Sequence, residues 1–480
     1  MSLASALNTT KATLSNTSIQ TGVVSNNISN ASTADYNRRT AITTTNASTG
    51  AITVKIERTE DTALLKQTLT ATSDDAGKQT FLDGMNSLSV LLGGAEYTAA
   101  PSTYLSALQQ AMQTYAASPG DVTLAAAAIS AAGDVSNSLN TSTEAVQQLR
   151  ADADSKIDTT IQKLNQLLAD FEQANNAVSS AIAAGGDPNN SLDQREGLLK
   201  QISGIIGIST ATRSNNDMVI YTSDGTTLFE TTARKVSFDP QAAYDATSTG
   251  ASIYIDGVAI KTSAGSNTNA KGSLPALLQL RDQVYPTYQA QLDEMARTVI
   301  GAFAEIDANG DAIAGLFTTK DGSTVDFQTA ELVPGLAGLI TVSANAMASP
   351  IKLRDGNIAG DTPNVAGSSG YSDLLYKYSA ALNTQVEFDP KAGISTKVTL
   401  LSFASDSIGF VEEYRSNATS AAESTSAMLT KSTEAYSNST GVNLDEELIQ
   451  MLDIEQSYKA AAKLMSTIDD LLKTLMEAAG

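Results

Sequence analysis

Apolar residues recur at alternating spacings of three and four at both ends of the chain. At the N-terminus the apolar members of this series are Leu3, Leu7, Leu14, Val24 and Ile28, and the gaps between them are filled by Thr10, Thr17 and Thr21. At the C-terminus the series is Met451, Ile454, Tyr458, Ala461, Met465, Ile468, Leu472 and Leu475. This spacing is typical of the a and d positions of a coiled coil. We therefore predict two terminal helices that pair with each other.

The N-terminal helix is the weaker of the two, because threonine is only a modest helix former. Such a helix is marginal in water when it is alone. The C-terminal helix has a clearer start, since Asn443 followed by Glu446 resembles an N-cap with a glutamate at the third helical position. We expect both ends to fray in the isolated chain and to become fully helical when neighbouring copies bury their apolar stripes.

Further helices are predicted between the two ends. The longest is expected to start at Thr141, with Glu144 as its capping-box partner, and to end before Gly185. A second helix is predicted over 286–306, where apolar residues share one face. Weaker helical patterns cover 79–95, 101–117 and 405–436.

The period changes to that of β-strands in the middle of the chain. Alternating apolar residues flank Asp224-Gly225, which is a hairpin signal, and similar patterns follow over 235–262. Residues 385–403 fit either another hairpin or the entry to a helix. We predict a mainly α fold with a β insertion, in three parts: terminal coiled-coil helices in 1–60 with 437–480, a helical rod-like domain in 61–206 with 273–436, and an outward β-rich domain in 207–272.

Charge and composition exclude several kinds of partner and site. The net charge is −22, from 52 acidic and 30 basic residues, which is the opposite of what a nucleic acid or an anionic membrane requires. The chain has no Cys and no His, so thiolate and imidazole metal sites and His-dependent catalysis are absent. No apolar run is long enough to cross a membrane, and the N-terminus lacks the pattern of a cleavable secretory signal. We predict no catalytic residue, no cofactor and no metal.

Three acidic groups invite a functional interpretation that the residues do not support. Asp307, Asn309 and Asp311 resemble the start of a calcium loop, but Ala312 and Thr318 stand where such a loop needs glycine and glutamate. Turn chemistry explains this segment better. The neighbouring carboxylates of 412–413 and 469–470 point to different faces of a helix, so neither pair forms a catalytic dyad.

The segment NNISNASTADYNRR, which starts at Asn26, resembles the N-terminal signature of bacterial flagellar axial proteins: the rod, hook and hook-associated proteins. That signature has the form N-x-x-N-x-x-T-x-G-Y-x-R. The matching residues here are Asn27, Asn30, Thr33, Tyr36 and Arg38. Asp35 stands where the family usually has glycine.

Three more segments narrow the resemblance to the hook-associated protein 1 family, which forms the hook–filament junction. Residues 187–208, DPNNSLDQREGLLKQISGIIGI, look like that family's Leu-Leu-Asp-Gln-Arg-Asp segment, and 280–317 look like its Leu-Arg-Asp helix and the following Asp-x-Asn-Gly loop. Residues 441–476 are similar to the C-terminal helix of axial proteins in general.

The resemblance implies a structural subunit rather than an enzyme. It implies an extracellular protein at the hook–filament junction, exported unfolded by the flagellar type III apparatus with a chaperone on its C-terminal segment. Its partners would be copies of itself, the hook protein and the second junction protein. Two alternatives remain open: another axial protein of the hook, rod or filament, or an adhesin or carboxylate-dependent hydrolase that oligomerises by its helical ends.

The candidate assembly residues combine the two seams and the signature. They are Leu3, Leu7, Leu14, Val24, Ile28, Asn27, Asn30, Tyr36, Arg38, Met451, Ile454, Tyr458, Met465, Ile468, Leu472 and Leu475. Asn26 to Asn30 form either a polar hinge that contacts neighbouring subunits or an ordinary loop after a helix. Arg38 and Arg39 either pair with the acidic segment after Gly441 or remain a solvated basic pair.

Overall fold

The computed structural model describes residues 3–45, 52–260, 271–360 and 362–479. The chain divides into two compact units. Unit 1 combines Met1–Asp75, Lys163–Lys235 and Thr425–Gly480, and unit 2 combines Ala76–Gln162 and Val236–Ser424.

Helices make up most of the described chain. They are α1 (Leu3–Ser29), α2 (Thr62–Leu91), α3 (Pro101–Ala117), α4 (Val122–Ala183), α5 (Asn189–Ile205), α6 (Ser273–Gln279), α7 (Tyr285–Ala302), α8 (Leu336–Leu339), α9 (Ala344–Ala348), α10 (Lys352–Asp355), α11 (Asp373–Ala381), α12 (Leu400–Thr440) and α13 (Leu444–Ala479). A π-helical turn, Leu280–Val284, joins α6 to α7.

The strands are short, and every described pairing is antiparallel. They are β1 (Arg39–Thr45), β2 (Ile52–Arg58), β3 (Ile208–Thr212), β4 (Met218–Thr222), β5 (Thr227–Phe229), β6 (Val236–Ser237), β7 (Tyr254–Ile255), β8 (Val258–Ala259), β9 (Glu305–Ile306), β10 (Ala312–Ile313), β11 (Phe317–Thr319), β12 (Ile340–Val342), β13 (Gln385–Glu387) and β14 (Lys397–Thr399). They form small sheets of two or three strands.

Unit 1 contains both chain ends. In it α1 packs along α13, and the two-stranded ribbon of β1 and β2 packs against α1. The sheet β3–β4–β5 contributes Phe229, whose ring meets that of Phe171 edge-on at 5.0 Å between centroids. Both rings are fully buried, so they mark the interior of this unit.

Unit 2 has a continuous hydrophobic core built around α3, the first part of α4, and α7. Phe303 stands at its centre, with its ring 5.2 Å from that of Phe317 and 5.1 Å from that of Tyr378. Buried polar residues of α7 bind loop backbone, and Asp293 accepts hydrogen bonds from the amides of Gly335 and Ala337.

The prediction of a mainly α fold with a β insertion is confirmed, but two predicted helix boundaries were wrong. α4 begins at Val122 rather than at Thr141. Its first turns are rich in alanine, the best helix former, and the Asp121 carboxylate caps the start by accepting from the Thr123 amide at 2.7 Å. The helix predicted over 286–306 ends at Ala302, and Ile306 lies in β9.

The Asp-Gly hairpins form as predicted, with β4 and β5 on either side of Asp224-Gly225 and β7 and β8 on either side of Asp256-Gly257. Both alternatives for 385–403 hold in part, because β13 and β14 pair before α12 begins at Leu400. The ribbon of β1 and β2 was not predicted from the sequence. The end of the predicted β module, 261–270, lies outside the described residues.

The two units cut across the three parts expected from the sequence. Strands β3–β5 belong to unit 1, whereas β6–β8 belong to unit 2. The division into terminal, rod-like and β-rich domains, as separately folding parts, stays a prediction.

Candidate assembly interface

Buried residues recur every seven positions along both α1 and α13. The series on α1 is Thr10, Thr17 and Val24, with Val23 and Asn27 buried as well, and the series on α13 is Glu447, Ile454, Ala461 and Ile468. Residues seven apart lie close to one face of a helix, and α1 and α13 contact each other, so the predicted pairing is confirmed. The end of α1 lies beside the start of α13, because Asn27 contacts Glu447. The two helices are therefore antiparallel.

The predicted seam residues are buried to different degrees within one chain. Those fully buried are Val24, Ile454 and Ile468, and those half-buried are Leu3, Leu7, Leu14, Ile28, Met451, Met465 and Leu472. Tyr458 and Leu475 are 51% and 64% exposed, so the pair of helices leaves them to solvent. Contact of these residues with neighbouring copies stays a prediction.

The threonines of α1 satisfy their hydroxyls within their own helix. The hydroxyl of Thr10 donates to the Ala6 carbonyl at 2.9 Å, and that of Thr17 donates to the Thr13 carbonyl at 3.1 Å. Threonine can thus occupy a buried seam position without an unpaired polar group. Its methyl group contributes less apolar contact than leucine would.

A second apolar stripe lies on α13 beside the buried seam. Leu464, Leu471 and Leu475 are spaced seven and four apart and are 58%, 52% and 64% exposed. Helix geometry places them on one side, at the edge of the face that meets α1. Exposed apolar rows are typical of interaction surfaces, and binding at this one stays a prediction.

Asn27 is the most completely bonded residue of the signature. Its side-chain amide donates to the Arg39 carbonyl at 2.8 Å and to Glu447 Oε2 at 3.0 Å. Its side-chain oxygen accepts from the Tyr36 hydroxyl at 2.8 Å and from the Arg39 amide at 3.1 Å. A primary amide offers two donors and two acceptors, and all four are used here. Asn27 is fully buried and lies within α1, so it is not part of a loop after the helix; contact of the 26–30 segment with neighbouring subunits stays a prediction.

Arg38 joins the signature to the start of α13. Its Nε donates to Glu447 Oε1 at 2.6 Å, and its backbone amide donates to the Thr440 carbonyl at 2.8 Å. A longer ion pair of 3.4 Å reaches Glu446. The Glu447 side chain is fully buried, so this contact is a charge-assisted hydrogen bond to a buried carboxylate and not a solvated pair. Of the two alternatives for the basic pair, Arg38 follows the pairing with the acidic C-terminal segment.

Arg39 pairs instead with Asp193 of α5. Its NH2 donates to Asp193 Oδ2 at 2.9 Å, and its guanidinium lies 4.8 Å from the centre of the Tyr36 ring. Arg58 lies directly across the ribbon from Arg39 and donates to Asp193 Oδ1 at 2.6 Å and to both oxygens of Glu196 at 2.8 and 2.7 Å. These four residues, Arg39, Arg58, Asp193 and Glu196, form the arginine–carboxylate cluster.

Burial shifts the pKa of groups in and around this cluster. Burial alone would lower the pKa of Arg58, but the hydrogen bonds and attraction of Glu196 and Asp193 outweigh it, and the net pKa is raised. Tyr436 donates its hydroxyl to Glu196 Oε2 at 2.5 Å, and burial together with the Glu196 charge raises its pKa. Asn37 donates to the Tyr436 hydroxyl at 2.9 Å, which ties the signature to the end of α12.

Asp35, which replaces the usual glycine, has a contact of its own. Its carboxylate pairs with Lys200 Nζ at 3.0 Å, and its backbone does not adopt a positive φ. It lies so close to α5 that a Cβ at Gly197 would stand 2.9 Å from Asp35 Oδ2. The Asp35 side chain therefore packs directly on α5 at Gly197.

Arg195, in the middle of the Leu-Asp-Gln-Arg-Glu segment, points away from the cluster. It donates to the Asn175 side chain at 3.1 Å and to the Asn216 carbonyl at 2.6 Å. Burial lowers its pKa to about 10. This residue anchors α5 to α4 and to the loop before β4, so α5 is a fixed support for the carboxylates on its other side.

Asn30 makes only local contacts. Its side-chain amide donates to the Asn26 carbonyl at 2.9 Å, at the turn where α1 ends. The signature residues thus have different roles within the chain: Asn27, Tyr36 and Arg38 join separate segments, whereas Asn30 shapes the turn.

The partners of the signature are not among the residues predicted from the sequence. Asp193 and Glu196 lie in a segment that resembles the family, and Arg58 and Tyr436 belong to none of the predicted motifs. One sequence feature pointed to this cluster. Asp193 and Glu196 are three positions apart and so share a helix face, and the N-terminal segment carries the adjacent arginines Arg38 and Arg39. The distance along the chain gave no indication that they meet.

The other acidic groups bind within the chain. Asp307 Oδ1 accepts from the amides of Asn309 and Asp311 at 2.8 and 2.9 Å, which is the turn chemistry predicted for this segment. Within the described residues no group of three or more acidic side chains could hold a metal ion. Nor does any helix in those parts have the length and apolarity to span a bilayer.

Two protein families match the chain. The flagellar hook-associated protein FlgK helical domain matches residues 85–321, and the flagellar basal body rod FlgEFG protein C-terminal family matches residues 433–478. The second match covers most of α13.

Curated relatives carry one name. Flagellar hook-associated protein 1 of Bacillus subtilis is 23% identical over 373 residues, which cover 72% of this chain and 70% of that protein. The protein of the same name from Escherichia coli is 23% identical over 382 residues, which cover 76% of this chain and 68% of that protein.

A solved structure shares the fold. The flagellar hook junction protein FlgK from Burkholderia pseudomallei superposes with a TM-score of 0.56 at 14% sequence identity, covering 77% of this chain and 99% of that chain. This likeness confirms the mainly α fold. Together, the family matches and the curated relatives confirm the resemblance inferred from the motifs: over about three quarters of its length, this chain is similar to flagellar hook-associated protein 1.

Proposed function

We propose that this chain is a structural, non-enzymatic subunit of the bacterial flagellum at the junction between hook and filament. It assembles with copies of itself through α1 and α13. The observation that carries this proposal is the terminal helix pair, whose seam is closed within the chain while Leu464, Leu471 and Leu475 remain exposed. The names of the curated relatives support the flagellar role.

The proposed partners are the hook protein on one side and the second junction protein on the other. Export through the flagellar type III apparatus, with a chaperone bound to the C-terminal segment, is part of the proposal. The exposed apolar stripe on α13 supports the proposed chaperone. Exposed leucines promote aggregation unless another protein covers them before assembly.

The cellular role is tested by deleting the gene in the source bacterium. Hooks should remain without filaments, and filament protein should appear in the medium. Labelled protein restored to the deletion strain should lie at the base of each filament. Filaments of normal length in the deletion strain would contradict the junction role.

Export is tested separately by disabling the flagellar export apparatus in the same bacterium. The protein should then stay inside the cell. Undiminished secretion would overturn the export route without affecting the structural role.

The self-association surface is tested with three aspartate variants of α13. Leu471→Asp should leave the thermal unfolding of the isolated chain nearly unchanged and abolish its assembly, because the side chain is exposed in one copy. Ile468→Asp, in the buried seam, should cost roughly 3 kcal/mol or more of stability. Ser466→Asp, exposed on the opposite side, should change neither property.

Sedimentation measures assembly in these variants, and circular dichroism measures unfolding. If Leu471→Asp assembles as the parent does, the stripe is not the contact surface. If Leu471→Asp destabilises the isolated chain as much as Ile468→Asp does, the stripe belongs to the core of one copy.

A further inference from the structure

The ribbon of β1 and β2 has little in its own sequence to fix its register. Within the described residues no third strand joins it. Two-stranded ribbons are marginal in water. β1 is rich in threonine, which tolerates either face of a strand, so the alternation that normally specifies register is weak here.

Two like charges face each other in the observed register. Arg39 pairs with Arg58 across the strands. The Thr59 amide donates to the Arg38 carbonyl, so 38 and 59 form a hydrogen-bonded pair, and the next pair inward is of the non-hydrogen-bonded kind. Side chains lie closest in such pairs, and two arginines there repel each other. This pairing therefore needs an outside cause.

The carboxylates of α5 supply that cause. Asp193 accepts from both arginines, one on each of its oxygens, and Glu196 binds Arg58 with both of its oxygens. The side chains of Arg39, Asp193 and Glu196 are no more than 12% exposed, and that of Arg58 is 1% exposed. Bidentate pairs of this kind are geometrically specific as well as strong.

A slip of the ribbon would break this arrangement. A shift of two residues keeps the same faces but places Arg58 opposite Ala41 instead of Arg39. Asp193 could then no longer accept from both arginines. The contacts of α5 thus distinguish the observed register from its neighbour, which the strand sequences do not.

We propose that Asp193 and Glu196 are positioning residues that set the register of the β1–β2 ribbon by binding the facing arginines. The Leu-Asp-Gln-Arg-Glu segment then has two sides: Arg195 fixes the helix, and its acidic neighbours align the N-terminal ribbon. This inference concerns the isolated chain and is independent of the proposed flagellar role.

The chain has no cysteine, so a pair of introduced thiols reports the register directly. Thr43 and Val54 face each other in the observed register, in a non-hydrogen-bonded pair like that of the arginines. Thr43→Cys with Val54→Cys should form a disulfide in a glutathione buffer, since facing residues satisfy disulfide geometry. Thr43→Cys with Ile56→Cys reports a slip of two residues and should oxidise much less.

The decisive comparison repeats both thiol pairs in an Asp193→Asn, Glu196→Gln background. The preference for the 43–54 disulfide over the 43–56 disulfide should fall about ten-fold or more, as expected when charge-assisted hydrogen bonds are lost. The matched control is Asp35→Asn, which breaks another ion pair to α5 but leaves the arginines bound; it should keep the parent preference.

The single variants Asp193→Asn and Glu196→Gln provide the same test if the double variant does not fold. Each should reduce the preference by a smaller factor, while circular dichroism shows an unchanged helix content. A folded variant that keeps the full parent preference would overturn the proposal. A loss of preference in Asp35→Asn of equal size would overturn it as well, because any weakening of α5 would then suffice.

Discussion

At the scale of single residues, Asn27 shows why a polar residue can be required inside a helix pair. All four of its hydrogen-bonding positions are used, and its partners come from the signature turn, from β1 and from α13. A buried amide with every position satisfied stabilises one arrangement and no other, because any substitute leaves partners unpaired.

Asn27→Asp should be strongly destabilising. A carboxylate cannot donate, so it would face the carboxylate of Glu447 and the carbonyl of Arg39 without a proton between them. We expect a loss of about 3–5 kcal/mol at neutral pH, as for a buried charge without its partner. Urea unfolding measures the loss.

The matched control is Asn26→Asp, one residue earlier and exposed, which should cost little. The introduced carboxyl at 27 is easier to bury when protonated, so its folded pKa would exceed its unfolded one. The cost of Asn27→Asp should therefore shrink as the pH is lowered towards 4. Equal costs at the two positions would contradict the role given to Asn27.

Asp293 is a second buried residue with a measurable consequence. Burial raises its pKa to about 7, even though the amides of Ala337 and Gly335 donate to it and favour the charged form. The folded chain then binds more protons than the unfolded chain between pH 4 and 7. The contribution of Asp293 to stability must fall as the pH rises through this window.

Asp293→Asn removes this titration. The unfolding free energy of the parent, minus that of the variant, should decrease from pH 4 to pH 7, by at most roughly 1.4 kcal/mol per pH unit. Asp307→Asn is the opposite control, because the Asp311 amide above all lowers the pKa of Asp307. The unfolding free energy of the parent, minus that of Asp307→Asn, should rise with pH up to about 4 and then stay level. If the difference between the parent and Asp293→Asn stays constant from pH 4 to pH 7, the pKa of Asp293 is not raised.

At the scale of elements, the two terminal helices differ in the apolar residues that they contribute to their shared seam. α1 contributes mainly threonine and half-buried leucine to the seam, whereas α13 keeps a row of leucines outside it. The pair is joined at one end by Asn27, Arg38 and Glu447. The hydrogen bonds of Asn27 and Arg38 lie at the end opposite to Leu3 and Leu475.

Limited proteolysis should therefore cleave the isolated chain first near Leu3 and Leu475 and later near Asn27 and Glu447. Local opening requires few contacts to break at the first end and several buried hydrogen bonds at the second. Mass spectrometry of early fragments locates the cuts. Assembly with other copies should protect both ends. First cuts within α7 would show that the terminal pair is not the least stable part.

At the scale of the whole molecule, the β material divides between two interiors. Phe229 of β5 packs on Phe171 in unit 1, whereas Ile253, next to β7, is buried in unit 2. Residues 207–272, which the sequence predicted to be one outward β-rich domain, therefore supply buried residues to both units. Replacing it with a linker would remove apolar contacts from each.

Phe229→Ala should lower the stability of unit 1 by roughly 3–5 kcal/mol, and Ile253→Ala should lower that of unit 2 by roughly 2–5 kcal/mol. Hydrogen exchange resolved along the chain separates the two effects. Amides of α5 should exchange faster in the first variant, and amides of α7 in the second. The same set of amides responding to both variants would show that the units do not unfold separately.

The sequence by itself determined what depends on local period and chemistry. Seven-residue spacing predicted the terminal pair, because a helix face is a property of consecutive residues. The Asp-Gly turns and the N-cap at Asn443 followed for the same reason: Asn443 Oδ1 accepts from the Asp445 amide at 3.0 Å. The family segments predicted the kind of protein.

Only the tertiary structure decided which distant residues share a site. Arg39 and Asp193 are 154 positions apart and Asn27 and Glu447 are 420 apart, and no local rule relates them. The start of α4 was misplaced because a threonine and a glutamate at capping-box spacing are equally compatible with the interior of an alanine-rich helix. Burial and pairing depend on how segments pack, and a polar residue such as Asn27 reveals its role only when its four partners are in place.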